Sequence, residues 1–300
     1  MSAFDRLLAS SLAFVPKPVI RHFSRPYIAG ETEDEMVAVM RRLHGDGFLT
    51  TVDVLGELTT DRDRAHRAVL KYLEVMELLA ALDLGDDVSV KLTQIGLKID
   101  PELAFENLRQ LAAKAKERGS FVRIDMEDSS CTTDTLRIYH RLRGEYGDHV
   151  GPVIQAYLRR SLEDVRELAK VRASVRLCKG IYVEPRTIAY QDRELINRNY
   201  VFLLEGLLGA GCYVGIATHD ERLVWEAARI IDRLGLEPSQ YEFQMLLGVD
   251  EALRRMIRDA GHRLRVYVPF GSHWYAYSLR RLRENPRIAG YVVKNLFPLA

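Results

Sequence analysis

The chain has 300 residues, with 43 Lys and Arg against 42 Asp and Glu, a formal net charge of +1. So even a balance gives no electrostatic reason to expect a nucleic acid or an acidic polymer as partner. With 47% hydrophobic and 28% charged residues the composition excludes a disordered chain and allows a large buried core.

Residues 1–45 read as a helical lead-in packed on the remainder of the chain. Met1 to Arg25 mixes Ser, Arg and apolar residues without the clean apolar stretch and small-residue cleavage site of a secretion signal. Its weak amphipathic character would let it touch a membrane surface, although packing on its own domain is the commoner cause of such a pattern. From 46 to 300 one rhythm continues without a linker, so the expectation is a single domain. Short apolar or β-branched runs recur at Phe48 to Leu55, Val88 to Ile95, Phe121 to Met126, Val150 to Tyr157, Val175 to Cys178, Cys212 to Thr218, Tyr241 to Leu246 and Leu264 to Val268. Between them lie helical periodicities with start signals: Asp61, Asp100-Pro101, Ser161 with Asp164 three residues on in a near capping box, Asp220 and Asp250. Eight strands alternating with helices predict an α/β chain folded as a (β/α)8 TIM-like barrel with extra N-terminal helices. The alternative is a doubly wound open sheet, which would more often carry a G-x-G-x-x-G turn; the chain has none. The longest apolar runs, such as Val201 to Ala210, contain Glu205 and fall well short of the roughly 20 residues a spanning helix needs. Cys131, Cys178 and Cys212 lie far apart with no C-x-x-C, so neither a disulfide framework nor a thiolate zinc site is indicated, and a reducing compartment is expected.

A barrel of this kind builds its active site at the C-terminal ends of its strands, and polar residues gather there in this sequence. They include Asp53 and Glu57, Lys91, Asp125-Met126-Glu127-Asp128, Gln155 and Tyr157, Arg176 with Lys179-Gly180 and Tyr182, Thr218-His219-Asp220, Gln244 and Tyr267. Lys91 between Val90 and Leu92 either points into the barrel mouth or snorkels outward between helices; the inward reading is preferred, since a barrel has no edge strand. Arg176 poses the same question. Lys179-Gly180 allows close backbone approach to an anion, and Thr218-His219-Asp220 lies at a strand-to-helix junction that favours phosphate. The carboxylates at 125, 127 and 128 fit a metal site, a general base or a helix cap near Thr132 or Thr133; capping suits Asp128 best, and no His or Cys ligand spacing supports a metal. At 100° per residue Tyr277, Arg280, Arg281 and Glu284 share one helical sector, opposite Leu279 and Leu282. Paired arginines can grip a carboxylate bidentately, whereas a solvated face with an Arg280–Glu284 ion pair is the plainer explanation. Lys91 or Lys179 as a Schiff-base amine, or a metal-dependent barrel lyase, is a second enzyme hypothesis. A basic nucleic-acid patch at Arg280, Arg281, Arg283 and Arg287 is a third, opposed by the near-neutral total charge.

Together these pieces resemble the proline dehydrogenases, including the corresponding domain of bifunctional proline utilisation A. The resemblance rests on Val-Lys-Leu-Thr (90–93), Asp-Met-Glu (125–127), Gln-Ala-Tyr-Leu-Arg-Arg (155–160), Arg-Leu-Cys-Lys-Gly-Ile-Tyr (176–182), Ala-Thr-His-Asp (217–220), Glu-Phe-Gln-Met-Leu-Leu-Gly (242–248), Tyr-Val-Pro-Phe-Gly (267–271) and Tyr-Ser-Leu-Arg-Arg-Leu-Arg-Glu-Asn (277–285), in the family's order. It implies a distorted barrel holding FAD, with the last helix over the barrel mouth. It implies oxidation of L-proline to 1-pyrroline-5-carboxylate by hydride transfer from C5 to flavin N5, the first step of proline catabolism to glutamate. Electrons pass to a membrane quinone, and the product passes to a separate pyrroline-5-carboxylate dehydrogenase. By the same resemblance Arg280 and Arg281 bind the proline carboxylate, oriented by Glu284, while Tyr182, Leu246, Tyr267 and Tyr277 enclose the ring and Lys91 and Asp125 line the pocket. Arg176, Met126, Gln155, Cys178, Lys179, Gly180, Ile181, Thr218 and His219 would hold FAD, Asp125 and Arg176 would be catalytic, and Glu57 would gate the site. No metal is implied. Ile181 stands where many relatives carry Ala, and Cys178 and Ser278 also differ from common choices, which leaves the mechanism intact and the pocket shape open. The expected location is cytoplasmic, at most peripheral at the inner face of the cytoplasmic membrane. Losing one charge-assisted contact costs on the order of 1.5 to 3 kcal/mol, so Arg280→Ala or Arg281→Ala should raise KM for L-proline at least tenfold with FAD retained; an unchanged KM puts the carboxylate clamp elsewhere.

Overall fold

The computed structural model describes residues 20–21, 24–56, 58–85, 87–275 and 277–279. Eight parallel strands close into a barrel in chain order: β1 Leu49–Val54, β2 Val88–Lys91, β3 Val122–Asp125, β4 Val150–Gln155, β5 Ser174–Cys178, β6 Tyr213–Ala217, β7 Tyr241–Leu246 and β8 Leu264–Phe270. Closure is made by β8 on β1, in register from Leu49 opposite Arg265 to Val54 opposite Phe270. Helix α1 (Glu33–Gly45) precedes β1. Then α2 (Arg62–Ala81), α3 (Pro101–Arg118), α4 (Ser129–Tyr146), α5 (Ser161–Lys170), α6 (Arg193–Gly209), α7 (Glu221–Leu234) and α8 (Glu251–Asp259) come after β1 to β7 in turn. A helical stretch begins at Trp274, after β8. This is the predicted (β/α)8 barrel, and no open sheet is formed.

All eight predicted runs contain a strand. The run at 88–95 ends early, because the chain turns after Lys91 with Gln94 N donating to Lys91 O at 3.2 Å. The last strand runs two residues further, to Phe270. Alternation along each strand separates two environments. Val52, Val90, Ile124, Leu177, Ile216, Phe243 and Val266 are fully or almost fully buried against the helical layer. The inward positions are mostly polar: Thr51 and Asp53, Ser89 and Lys91, Arg123 and Asp125, Ser174 and Arg176, Glu242 and Gln244, Arg265 and Tyr267. Helix α1 joins the same core through Met36, Val37, Met40 and Leu43, and its start is fixed by a capping box between Thr32 and Glu35. Among the described residues no helix is long and apolar enough to cross a membrane.

Helix starts match the predicted aspartates. Asp61 accepts from Asp63 N at 2.8 Å and Arg64 N at 3.1 Å, Asp100 from Glu102 N, Asp128 from Ser130 N, Asp220 from Arg222 N and Asp250 from Leu253 N. Two expectations are corrected. The helix after β3 begins at Ser129, ahead of Thr132 and Thr133. Ser161 caps nothing: it is the first residue of α5, its hydroxyl donates back to Gln155 O at 2.5 Å, and Asp164 is taken by Arg160 at 2.8 Å. Both side chains of the supposed capping box thus have stronger partners than a helix N-H.

At the N-terminal end of the barrel Glu242 is 1% exposed and accepts from Arg265 Nε at 2.7 Å, Gln244 Nε2 at 2.5 Å and Tyr213 OH at 3.0 Å. Burial works to raise its carboxyl, but Arg265 and these donors outweigh burial and hold it at about 2. Because the folded value lies below the ordinary 4.5, this contribution to stability is complete above pH 4.5 and is lost as pH falls toward about 2. Glu242→Gln should therefore flatten that part of the acid-denaturation slope and cost roughly 3 kcal/mol near neutrality, where Arg265 loses a buried partner. Identical slopes for the two proteins would remove Glu242 from this role.

Candidate active site

The C-terminal mouth of the barrel holds an interlocked set of charges from five strands. Lys91 Nζ donates to both Asp53 carboxylate oxygens at 2.9 Å and to Tyr267 OH at 3.3 Å. Tyr267 OH in turn donates to Asp125 Oδ2 at 2.7 Å, and Arg176 Nη1 donates to Asp125 Oδ1 at 2.7 Å. Two cations thus face two carboxylates, with a phenol bridging them. Burial, with Asp125 and Asp53 beside it, raises the Tyr267 phenol well above its ordinary value, so the hydroxyl keeps the proton it gives to Asp125. Lys91 and Arg176 both point into the barrel, as the inward reading of their strands predicts; their exposures are 7% each.

A layer below supports the set. Arg176 Nη2 donates to Ser89 Oγ at 3.0 Å and its Nε donates to Gln244 Oε1, while Thr51 Oγ1 lies 3.1 Å from Ser89 Oγ. Tyr72 from α2 donates to Ser89 O at 2.9 Å. With three of its N-H groups engaged on β2, β3 and β7, the guanidinium has one allowed pose. Asp53 is the residue that sequence reasoning undervalues: its polarity and its place near the rim are legible, but its complete burial and its hold on Lys91 appear only once β1 and β2 are paired. An Asp amid the β-branched residues of β1 is the available signal, since a charge buried there needs a partner.

The three carboxylates after β3 go separate ways. Asp125 joins the charge cluster, Glu127 accepts from Thr93 N at 3.0 Å and from Thr93 Oγ1, and Asp128 caps α4. Burial raises the Glu127 carboxyl. Glu127 O accepts from Gln155 Nε2 at 2.8 Å, which fixes the amide at the end of β4, beside buried Met126.

Around the ends of β4, β5 and β6 the donor set changes character. Lys179 Nζ pairs with Asp220 Oδ2 at 2.6 Å, both side chains being partly exposed. Gly180 sits at φ +102 against the Tyr157 ring, which a Cβ would strike, so the backbone passes closely over that ring. Burial pushes the Cys178 thiol up to about 12, which leaves it un-ionised and chemically quiet. Thr218 Oγ1 accepts from Asp220 N at 3.1 Å, and His219 Nε2 accepts from Leu246 N at 2.9 Å, which puts the ring proton on Nδ1. Ile181 is 51% exposed and Val183 99% exposed, an apolar edge at the rim. An ammonium, a hydroxyl and the N-terminus of α7 on one arc, next to an amide, a guanidinium and apolar edges, fit a cofactor with a phosphate end and a flat polar ring.

Tyr182 is partly exposed after β5, and Leu246 ends β7 partly buried. Tyr277 is 3% exposed and packs with Ile28 and Leu55, so it closes against the end of β1. Glu57, Arg280, Arg281 and Glu284 lie outside the described residues.

The family model described as Proline dehydrogenase matches residues 36–294. The chain is 37% identical over 274 residues to "Proline dehydrogenase" of Deinococcus radiodurans, covering 90% of this chain and 88% of that one. It is 34% identical over 273 residues to "Proline dehydrogenase 1" of Bacillus subtilis, covering 91% and 90%. Among solved structures, proline utilization A of Bdellovibrio bacteriovorus inactivated by N-propargylglycine superposes with a TM-score of 0.82 at 29% identity, over 88% of this chain. This chain spans 32% of that longer protein. By sequence over nearly its whole length and by fold, the chain belongs to the proline dehydrogenase family.

Proposed function

We propose that the chain oxidises L-proline to 1-pyrroline-5-carboxylate with FAD as cofactor and a membrane quinone as electron acceptor. The observation that carries this reading is the mouth cluster of Asp53, Lys91, Asp125, Arg176 and Tyr267, in a chain whose relatives are named proline dehydrogenases. When bound, FAD supplies the two-electron acceptor that takes the hydride from proline C5. Thr218 and His219 would lie near its pyrophosphate, Lys179, Gly180 and Ile181, with Cys178, along the cofactor, and Met126, Gln155 and Arg176 at its ring. Tyr267, Leu246, Tyr182 and Tyr277 form the wall for the proline ring, and Arg280 and Arg281, oriented by Glu284, take its carboxylate. Fixing the carboxylate fixes C5, since the ring between them is short and stiff.

Within this pocket Lys91 and Asp125 set the field around the substrate nitrogen. The ammonium must lose a proton before hydride can leave the adjacent carbon, and a cluster whose charges already cancel does not oppose that loss. Tyr267 is held between Lys91 and Asp125, which would fix it as a wall of the pocket. Lys91 is a poor candidate for a Schiff-base amine, because Asp53 and Tyr267 occupy its donors and a nucleophilic lysine needs an apolar or cationic setting. Delivery of electrons to a quinone places the chain at the inner face of the cytoplasmic membrane, and the product then passes to a separate pyrroline-5-carboxylate dehydrogenase. Glu57, just past β1, is the residue proposed to gate entry.

The deciding experiment is an anaerobic absorption spectrum of the purified protein. Bleaching of a flavin band by L-proline and not by D-proline is the expected result; a flavin band that L-proline leaves intact rejects proline as substrate. Activity in the reductive half-reaction should rise with pH through the alkaline range, and a flat profile contradicts the need for a neutral amine. Asp125→Asn should lower kcat/KM by roughly 10- to 100-fold, the loss of one charged hydrogen bond of about 1.5 to 3 kcal/mol, with flavin content unchanged. Wild-type kcat/KM in that variant would exclude Asp125 from the pocket.

A further inference from the structure

The opposite, N-terminal face of the barrel opens into a cavity of about 530 Å³ that reaches in to Arg176 and Gln244. Four more arginines line it, Arg123, Arg172, Arg263 and Arg265, against two aspartates, Asp87 and Asp148. Both aspartates are already engaged, Asp87 with Arg265 at 2.6 Å and Asp148 with Arg143 at 2.7 Å. Arg176 is spent on Asp125. Among the described residues Arg123, Arg172 and Arg263 form no ion pair with a carboxylate.

Arg123 is the informative one. It is 4% exposed, and its guanidinium donates only to neutral acceptors: Ser174 O at 2.7 Å, Pro152 O at 3.1 Å and Ser174 Oγ at 3.1 Å. Burial, with Arg176 and Arg265 nearby, opposes its charge and, against the support of Glu242, holds it down to about 9. Phe121 lies beneath it at 4.5 Å. Opposite it Gly151 carries no side chain, and a Cβ there would meet the Arg123 guanidinium and Ser174 O. The missing side chain at Gly151 thus makes the space that the Arg123 guanidinium itself fills, and holds a buried cation at the inner end of a cavity that Arg172 and Arg263 also line. A buried guanidinium whose direct partners are all neutral is costly, and the cavity's volume lies in the range of small-molecule sites.

We infer that this cavity binds a small oxyanion, a phosphate or carboxylate group of a soluble ligand, gripped by Arg123 at depth and by Arg172 and Arg263 at the mouth. Guanidinium groups converging from three strand ends suit bidentate contact with such a group. The site is separate from the proposed proline pocket, and Arg176 forms the wall between them.

Calorimetric titration of the cofactor-loaded protein with inorganic phosphate, and separately with malonate, tests this at ionic strength held constant with potassium chloride. One saturable site that L-proline does not compete for is expected, which separates it from the proposed carboxylate clamp of the proline pocket, and the tighter of the two probes distinguishes a phosphate from a carboxylate ligand. The double variant Arg172→Gly, Arg263→Gln should bind at least tenfold more weakly. Both residues are outside the packed core, and Arg172 sits at φ 48, where glycine is at ease, so the fold is retained. Arg123→Met should abolish saturable binding, whereas Arg229→Gln on the outer surface of α7 should leave it unchanged. No saturable heat with either probe, or equal affinity in the double variant and the wild type, overturns the site. Because the readout is binding of an added anion, it stands or falls independently of proline turnover.

Discussion

The Asp125 carboxylate is where the barrel's interior is tied together. It takes one hydrogen bond from Arg176 on β5 and another from Tyr267 on β8, strands on opposite arcs of the ring, while Lys91 on β2 stands 3.8 Å away. A parallel barrel normally fills its centre with branched apolar side chains. Here long polar ones span it, and each is held only because the others are ionised and correctly placed. The outward-facing valines, isoleucines and leucines carry the packing, which leaves the interior free to be electrostatic. Low dielectric makes such a network stiff when complete and unforgiving when one member is removed.

That division explains how much is legible in the residues alone. The strands are legible because each is a short apolar run succeeded by an amphipathic helix with an aspartate at its start, a pattern that local chemistry enforces. Inward orientation of Lys91 and Arg176 comes from alternation alone. The partners do not. Asp53 meets Lys91 through the pairing of β1 with β2, 38 positions apart, and Arg176 reaches Ser89, 87 positions away, only across the interior of the closed barrel. Ser161 illustrates the limit at short range: its sequence context matches a capping box, yet the preceding strand's Gln155 carbonyl is the better acceptor for its hydroxyl.

The N-terminal half of the interior is the least legible part. Arg123, Glu242 and Arg265 sit at the beginnings of strands, where a charged residue ordinarily faces solvent. The closed barrel instead turns all three inward, and Glu242 with Arg265 becomes a buried pair. Charge therefore runs the length of the barrel axis, from Arg265 through Gln244 and Arg176 to Asp125 and Lys91. The two ends differ in balance: the C-terminal mouth is neutral, and the opposite end carries surplus arginine.

Two inward glycines show how this arrangement constrains the chain's descent. The atoms nearest a side chain at Gly215 would be those of the Gln244 amide, the end of a flexible side chain. A side chain at Gly151 would collide with the Arg123 guanidinium and also with the backbone oxygen of Ser174. The first position can change only together with Gln244, at the cost of that amide's bonds to Arg176 and Glu242. The second has no such compensating partner, because no substitution moves a carbonyl that belongs to the strand itself. Identical residues on β4 and β6, one strand apart, are thus subject to different rules of inheritance, one conditional and one fixed.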